Sequence, residues 1–314
     1  MLEIQPKIIF LGTPEFARPF LQALVDSDYK PVLVITQPDE PAGRKQQLQP
    51  PPVKLLALEH GLAVAQPKIQ DELYEILTQS QPDICLLVAY GKMISPKVLS
   101  IPKFGFINVH PSLLPMYRGP SPVQTAILNG ETETGVSVMQ LDRKMDHGPV
   151  FIQKKIVILP IDTNQTLHQR LAVVGADLLL STLPQIINQS LKPQAQIESQ
   201  ATLTKIIKRD DGLVNWQKTA LEISRQFRAF CPWPGVYTQW QGKRLKIANL
   251  SVLEADFKAN LASGTVFIDA GGQLAVACQT GAIKLERLQL EGKNEVSASD
   301  FLRGYSNIVN QVLG

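Results

Sequence analysis

Short apolar runs alternate with helix-like segments along the first half of the chain, and this alternation limits the fold more than any other feature. Ile8–Leu11 and Ile84–Val88 are apolar throughout. Strands of this kind fit a sheet that is covered on both faces, and such sheets are mostly parallel. Between these runs, Glu15–Asp26 places phenylalanine and leucine side chains at helical spacing. The pattern predicts an α/β domain with a mostly parallel sheet.

The same signals predict further elements in this half. Ser121-Pro122 is a typical helix start, with an N-cap hydroxyl followed by proline at the first helical position. Thr166–Leu183 carries an amphipathic stripe, and Pro184 is expected to end that helix. Further strands are predicted at Val32–Ile35, Phe106–Val109 and Val136–Leu141.

The character of the sequence changes after Asn188–Thr204, a segment rich in Gln, Ser and Thr that is typical of an extended linker. A short helix at Leu221–Phe230 and a proline-rich turn follow. Five short strands separated by glycine-containing turns then favour a small β-barrel or open roll. A terminal helix is expected over Phe301–Val312.

Composition excludes several protein classes. The 314 residues are 44% hydrophobic and 19% charged with a net charge of +3, which is typical of a globular chain of two domains. The three cysteines lie apart in apolar surroundings, so we expect buried free thiols in a reducing compartment. We also expect no membrane span and no secretion signal, which favours a cytoplasmic protein.

Common catalytic motifs are absent from the sequence. Gly12 follows the opening strand, but neither a dinucleotide fingerprint nor a phosphate-binding P-loop begins there. The histidines have no partner at metal-binding spacing, no Cys-x-x-Cys occurs, and the serine-hydrolase elbow is missing. Dehydrogenases, P-loop enzymes, zinc enzymes and serine hydrolases are therefore disfavoured, and no metal is expected.

Two polar clusters remain as candidates for chemistry. Asn108 and His110 are two positions apart at the end of an apolar strand, so they project to the same side before Pro111 ends it. The loop Asp142–Pro149 supplies Asp146. Each cluster also has a purely structural interpretation. The first is then a capped strand end, and the second is a solvated turn. If the loops meet, however, an amide, an imidazole and a carboxylate suit acyl-type transfer without a protein nucleophile.

These residues carry a family resemblance. The motif in Asn108–Gly119, followed by Asp146-x-Gly148, closely resembles the formyltransferases that use 10-formyltetrahydrofolate. Phe10–Ala17, Gln37–Arg44 and Arg228–Gly235 narrow the match to those acting on methionyl-tRNA. The resemblance covers essentially the whole chain in order. His147, between the aspartate and the glycine, departs from the family's pattern.

The resemblance implies a Rossmann-like catalytic domain at residues 1–189, a linker at 190–204 and an OB-like β-barrel that binds tRNA at 205–314. It implies transfer of a formyl group from 10-formyltetrahydrofolate to the α-amino group of methionyl-initiator tRNA, giving N-formylmethionyl-tRNA. A monomer is expected from the family alone.

The resemblance also implies roles for individual residues. Asn108, His110 and Asp146 match the catalytic trio. The residues expected to bind the folate are Ser112, Leu113, Leu114, Pro115, Tyr90 and Gly91. The loop with Arg44 and Lys45 matches an insertion that approaches the tRNA acceptor end.

Further basic residues suit phosphate contacts, although charge on an exposed barrel edge is the competing interpretation. They are Lys205, Lys208 and Arg209, and Lys243, Arg244 and Lys246.

The residues and the resemblance together give a mechanistic hypothesis with open alternatives. Asn108 and His110 donate hydrogen bonds to the developing oxyanion. Asp146 either pairs with His110 or accepts the ammonium proton through a water. A formyltransferase for sugar-nucleotide amines and a formyl-folate hydrolase share this trio, and an inactive RNA-binding module is the alternative outside enzymes.

Overall fold

The protein is described here from a computed structural model, which covers residues 6–42, 47–253 and 261–314. Eight α-helices lie in these ranges: α1 Arg18–Val25, α2 Pro52–Glu59, α3 Gln70–Ser80, α4 Pro96–Leu99, α5 Pro122–Asn129, α6 Asn164–Ile187, α7 Ala220–Phe230 and α8 Ala298–Gly304. The same ranges hold these strands: β1 Ile8–Gly12, β2 Leu33–Ile35, β3 Glu40–Ala42, β4 Gln47–Gln49, β5 Val64–Ala65, β6 Ile84–Val88, β7 Phe106–His110, β8 Glu133–Gln140, β9 Val150–Val157, β10 Val236–Trp240, β11 Lys243–Leu253, β12 Val266–Ile268, β13 Leu274–Ala277, β14 Ala282–Leu290 and β15 Val296–Ser297.

The chain divides into two compact units. The first comprises residues 1–122, 133–157 and 168–205, and the second comprises 123–132, 158–167 and 206–314. The segment 190–204, predicted as a linker, therefore groups with the first unit.

A seven-stranded sheet forms the centre of the first unit, in the order β5-β2-β1-β6-β7-β8-β9. The pairs from β5 to β7 are parallel, whereas β8 pairs antiparallel with both β7 and β9. All five residues of β1, β6 and β7 are buried. The prediction of an α/β fold with a mostly parallel sheet is confirmed, because the apolar strands are covered on both faces.

The strand order has a topological switch point beside β1. The chain moves from β1 to β2 on one side and returns to β6 on the other, and open α/β sheets bind ligands outside the carboxyl ends of strands at such a switch point. Hydrogen bonds connect the residues that follow β1, β2 and β6 at this edge. Thr13 Oγ1 and Gln37 Nε2 both donate to the Tyr90 carbonyl, at 3.0 and 3.1 Å. Strand β7, next to β6, delivers its last residues to the same edge.

Helix α6 differs from the prediction at its C-terminus. It continues through Pro184 to Ile187, because the proline lies in the last turn and removes one helical bond, while its own carbonyl accepts from Asn188 N at 3.0 Å. By length and composition alone, with a mean hydropathy of 1.4, this helix could cross a membrane. Leu171, Leu179 and Leu183 are buried in the protein, however, as in an apolar core helix.

The second unit contains an antiparallel sheet in the order β10-β11-β14-β13-β12, with β15 paired to β14. The expected OB-like barrel is confirmed as a curled sheet of this kind. Residues 310–314 pair with both edges: Gln311 O accepts from Val266 N at 2.8 Å, and Gly314 O accepts from Gln239 N at 3.2 Å. The helix predicted over Phe301–Val312 is wrong in its second half, because these backbone groups bond to the edge strands.

Candidate active site

Strand β7 positions two of the predicted site residues. Because successive side chains alternate across a strand, Asn108 and His110 share one face of the sheet near its carboxyl edge. Both are buried, with 6% and 5% of their surface exposed. Their neighbours on β8 are Met139 and Ser137, so the antiparallel pairing fixes both positions.

A backbone carbonyl orients the His110 ring. His110 Nε2 lies 2.9 Å from the Tyr117 carbonyl oxygen. A carbonyl can only accept, so Nε2 carries the hydrogen of this bond, and the neutral ring then has its lone pair at Nδ1. Tyr117 itself has a left-handed backbone, with φ of +60°, which places it at a tight turn. The turn after β7 thus determines which nitrogen of His110 is available for chemistry.

Asp146 lies opposite that available nitrogen. Asp146 Oδ2 is 3.7 Å from His110 Nδ1, and it accepts a hydrogen bond from Gly119 N at 2.8 Å. Its side chain is 15% exposed. Two turns therefore meet here, the one after β7 and the one between β8 and β9, and they place an imidazole and a carboxylate face to face.

Position 148, the glycine of the Asp-x-Gly sequence, has no space for a side chain. Asp146 adopts the left-handed conformation, with φ of +50°, whereas Gly148 does not. A Cβ added at Gly148 would lie 1.9 Å from the Gln140 carbonyl oxygen. Glycine is therefore required at 148 for close backbone approach, whereas the left-handed conformation in this turn belongs to Asp146.

Asn108 supplies an uncommitted amide. Within the described ranges, 6–42, 47–253 and 261–314, its side chain makes no hydrogen bond, although it is almost wholly buried. Buried amides are normally satisfied within the fold, because an unpaired polar group in the interior is costly. An Asn in this state suits donation to a substrate oxygen.

The segment after His110 is held by side chains of β8 and β9. Ser137 Oγ donates to the Ser112 carbonyl at 2.6 Å, and Gln153 Nε2 donates to the Leu114 carbonyl at 2.8 Å. The Ser112 hydroxyl is fully buried and donates to the Met116 carbonyl at 2.7 Å. Of the four residues predicted to contact folate here, Ser112 thus shapes the turn with its side chain, while Leu113 and Pro115 are half-buried.

Tyr90 and Gly91 follow β6 at the same edge of the sheet. The Tyr90 ring is 1% exposed and lies in the core with Leu73 and Leu77, where burial raises its pKa to about 12. The ring is therefore not available to a ligand, and the Tyr90 carbonyl already accepts from Thr13 and Gln37. Gly91 is exposed with φ of +87°, which a side chain would disfavour.

Arg118 forms a buried ion pair beside the site. Its guanidinium makes two bonds to Glu198, Nη1 to Oε1 at 3.2 Å and Nη2 to Oε2 at 2.9 Å. These bonds hold the pKa of Glu198 below its usual range. His147 Nε2 approaches the same carboxylate at 3.6 Å, and its Nδ1 contacts Asp142 Oδ2 at 2.6 Å. His147 therefore belongs to this peripheral network, which the sequence did not reveal.

Comparisons with known proteins match these observations. Residues 6–183 match the family described as Formyl transferase, and residues 206–306 match Formyl transferase, C-terminal domain. A methionyl-tRNA formyltransferase of Geotalea daltonii is 42% identical over 311 residues, covering 98% of each chain. One from Chloroflexus aurantiacus is 43% identical over 301 residues, covering 95% of this chain and 96% of the relative.

The chain belongs to the methionyl-tRNA formyltransferase family.

Solved structures share the formyltransferase fold. An N-formyltransferase of Helicobacter canadensis, in complex with folinic acid and dTDP-3-aminofucose, has a TM-score of 0.68 and 22% identity, covering 89% of this chain and 98% of its own. HypX of Aquifex aeolicus with tetrahydrofolic acid has a TM-score of 0.64 and 15% identity. The match to HypX covers 97% of this chain and 48% of the HypX chain.

The basic residues predicted to contact RNA are placed as follows in this formyltransferase. Arg44 and Lys45 lie outside the described residues, in the gap between β3 and β4. Lys205 belongs to the first unit, and Lys208 and Arg209 belong to the second, all three being exposed. On β11, Lys243 is exposed and Arg244 lies over the Tyr237 ring, with its Cζ 3.5 Å from the ring centre.

Within the described residues of this formyltransferase, no group of three or more His, Cys, Asp or Glu side chains is arranged to hold a metal ion.

Proposed function

We propose that Asn108, His110 and Asp146 carry out the formyl transfer of this methionyl-tRNA formyltransferase. The reaction moves the formyl group of 10-formyltetrahydrofolate to the α-amino group of methionyl-initiator tRNA. The observation that carries the assignment is the facing pair His110 Nδ1 and Asp146 Oδ2 at 3.7 Å, beside the uncommitted Asn108 amide. Both substrates have the atoms this set needs, a formyl oxygen to accept hydrogen bonds and an amine that must lose a proton.

Asn108 stabilises the charge that develops on the formyl oxygen. The amine nitrogen bonds to the formyl carbon, and the carbon–N10 bond of the folate breaks. Asn108 Nδ2 donates to the oxygen, and one such donor typically contributes about 3–4 kcal/mol to lowering the barrier. Because Asn108 has no competing partner among the described residues, its amide is available to donate to the substrate oxygen.

His110 and Asp146 handle the proton. The amine loses one proton as it is acylated and the folate N10 gains one, so the exchange is balanced. In neutral His110, Nε2–H is engaged by the Tyr117 carbonyl, so Nδ1 can accept a proton but cannot donate one. His110 therefore donates to the oxyanion from Nδ1 only when it carries both protons, with Asp146 as its counter-ion. Asp146 keeps its second oxygen, Oδ1, for the ammonium proton.

Replacing Asp146 with Asn tests the assignment. The substitution keeps the size and the bond from Gly119 but removes the proton acceptor, so turnover should fall at least about 100-fold with folate KM little changed. Asp71→Asn, which neutralises an exposed carboxylate of α3, is the matched control and should be fully active. Wild-type turnover in the Asp146 variant would refute the role. Assays with charged initiator tRNA, a sugar-nucleotide amine or water as acceptor identify the preferred substrate.

We propose that tRNA phosphates contact the outer face of β10 and β11. Arg244 and Lys246 alternate with the buried Leu245 and Ile247, so the two cations share the opposite face. Tyr237 on β10 pairs with Lys246 in the ladder, and its buried ring lies under the Arg244 guanidinium, which holds that cation on this face. The face suits the phosphates of a polyanion.

Salt dependence tests this surface. Lys246→Gln should weaken tRNA binding and lower the slope of log affinity against log salt by about 1, because one phosphate contact is lost. Lys30→Gln, an exposed lysine of the first unit, is the control and should leave the slope unchanged. An unchanged slope in the Lys246 variant would contradict the proposed surface.

We further propose that the enzyme acts as a cytoplasmic monomer. The proposed catalytic side chains all come from one chain, so catalysis requires no second copy. Light scattering at the assay concentration should give the mass of a single chain, 34.7 kDa.

A further inference from the structure

A segment outside the predicted catalytic motifs crosses behind both site turns. We call residues 194–204 the crossing segment. At one end, Gln194 and Val150 exchange two backbone hydrogen bonds of 2.8 Å at the start of β9. At the other end, Thr202 O accepts from Arg118 N at 2.9 Å, and Thr204 N donates to Arg118 O at 2.8 Å. The crossing segment is thus anchored both to the β8–β9 turn region and to the turn after β7.

Gln196, in the middle of the crossing segment, bonds to both turns at once. Its Nε2 donates to the carbonyl oxygens of Asp146 and Gly148, each at 2.8 Å. Its Oε1 accepts from Arg118 Nε at 3.1 Å. One side chain therefore connects the turn that carries Asp146 with the turn that orients His110.

The chemistry of these contacts requires an amide. Two carbonyl oxygens need two N–H donors, and the guanidinium needs an acceptor. Glutamate could accept from Arg118 but could not donate to the carbonyls, and lysine could donate but not accept. Gln supplies both functions in one planar group.

Arg118, to which Gln196 bonds, is itself held in place by several contacts. It is 4% exposed, and Glu198 holds the outer edge of its guanidinium with a bidentate pair. Its backbone is also paired to the crossing segment on both sides. Because Arg118 cannot move independently, the bond to Gln196 relates the two turns rigidly.

We infer that Gln196 is a positioning residue for formyl transfer, setting the place of the Asp146 carboxylate relative to His110. The inference rests on the proposed role of Asp146. Gln196 touches no reacting atom; it holds the backbone on both sides of His147, where Asp146 has a left-handed conformation. Without it, the Asp146 carboxylate keeps the bond from Gly119 N, but the backbone of its turn loses the two hydrogen bonds that help to maintain the 3.7 Å contact with His110.

Gln196→Ala provides the first test. A displacement of about 1 Å in a catalytic group costs up to about 100-fold, so kcat should fall about 10- to 100-fold while KM for the folate stays within about twofold. Gln194→Ala removes an exposed side chain of the same type from the same segment and should retain wild-type kcat. Unchanged kcat in Gln196→Ala would overturn the inference.

A double-mutant cycle separates positioning from a general structural effect. If Gln196 acts through Asp146, adding Gln196→Ala to Asp146→Asn should lower single-turnover rates by less than about twofold more. Full multiplication of the two losses would overturn the inference. If Asp146→Asn alone is fully active, the proposed assignment of Asp146 fails instead, which is a distinguishable result.

A second variant keeps the test decisive if Gln196→Ala does not fold. Gln196→Glu keeps the size and the acceptor for Arg118 but places one carboxylate oxygen against the two carbonyls, so it should show the same loss and the same non-additivity. Thermal unfolding identifies folded variants. If neither variant folds, Gln196 is required for folding itself and the inference is wrong.

Discussion

Replacing Gly148 with alanine should impair catalysis through a single steric contact. The new Cβ would lie 1.9 Å from the Gln140 carbonyl oxygen, which belongs to backbone that cannot swing aside. Gln140 is fixed in β8, and its own N–H donates to the Pro149 carbonyl at 2.9 Å. The glycine's φ is not in the left-handed region, so the substitution adds a collision without adding conformational strain at this position.

The size of the collision gives the expected displacement. Real Cβ atoms essentially never approach closer than 3.0 Å, so the Gly148 backbone must retreat by at least about 1.1 Å. Asp146 lies two residues away on the same turn, and both carbonyls share the Gln196 amide. A shift of about 1 Å in a catalytic group corresponds to about 100-fold in rate, or about 2.7 kcal/mol in the barrier.

The assay is formylation of charged initiator tRNA by Gly148→Ala. We expect kcat to fall about 100-fold, with folate KM changed much less, because only the Asp146 turn moves. Gly304→Ala is the control, since a Cβ there meets no atom within 4 Å. A Gly148 variant with a wild-type melting temperature and a kcat within about twofold of wild type would refute the reasoning.

Two further predictions concern titrating groups. Cys231 is partly exposed, whereas Cys85 and Cys278 are buried, and this burial raises the pKa of Cys278 to about 12 and raises the pKa of Cys85 further. At about pH 8 a thiol reagent should therefore label one cysteine in the native protein and three in denaturant. Rapid labelling of all three cysteines in the native protein would contradict the buried positions. Glu198 has a lowered pKa in the folded state, mainly through its hydrogen bonds from Arg118, so the unfolded chain binds more protons at this residue. The contribution of Glu198 to stability is therefore lost as the pH falls through that lowered pKa. Melting curves of wild type and Glu198→Gln should differ above about pH 4.5 and converge in acid, whereas a pH-independent difference would show that the charge is not involved.

Local patterns in the sequence predicted much of the first unit. Apolar runs gave β1 and β6, because a strand buried on both faces needs apolar side chains at every position. The two-residue spacing placed Asn108 and His110 on one face of β7, since side chains alternate along a strand. The sequence also predicted that an amide, an imidazole and a carboxylate form the proposed trio. It further favoured a transfer reaction that needs no protein nucleophile.

The same patterns were wrong where long-range pairing overrode local signals. The second half of the expected terminal helix is instead bonded to β10 and β12, because open strand edges compete for its backbone groups. The cysteines were all expected to be buried, but Cys231 borders the proline-rich turn and is partly exposed. Periodicity within a window carries no information about an edge that lies far along the chain.

Local patterns of residue type were enough to identify the buried strands of the first unit and the polar side chains at the end of β7. The three-dimensional arrangement was needed to show which nitrogen of His110 is available, why position 148 must be glycine and which groups Gln196 contacts. Gln196 lies 50 and 48 residues from the carbonyls it binds, within a stretch whose composition is typical of a linker. Such contacts depend on how the turns meet in space, and hydrogen bonds between distant backbone groups leave no periodic trace in the chain.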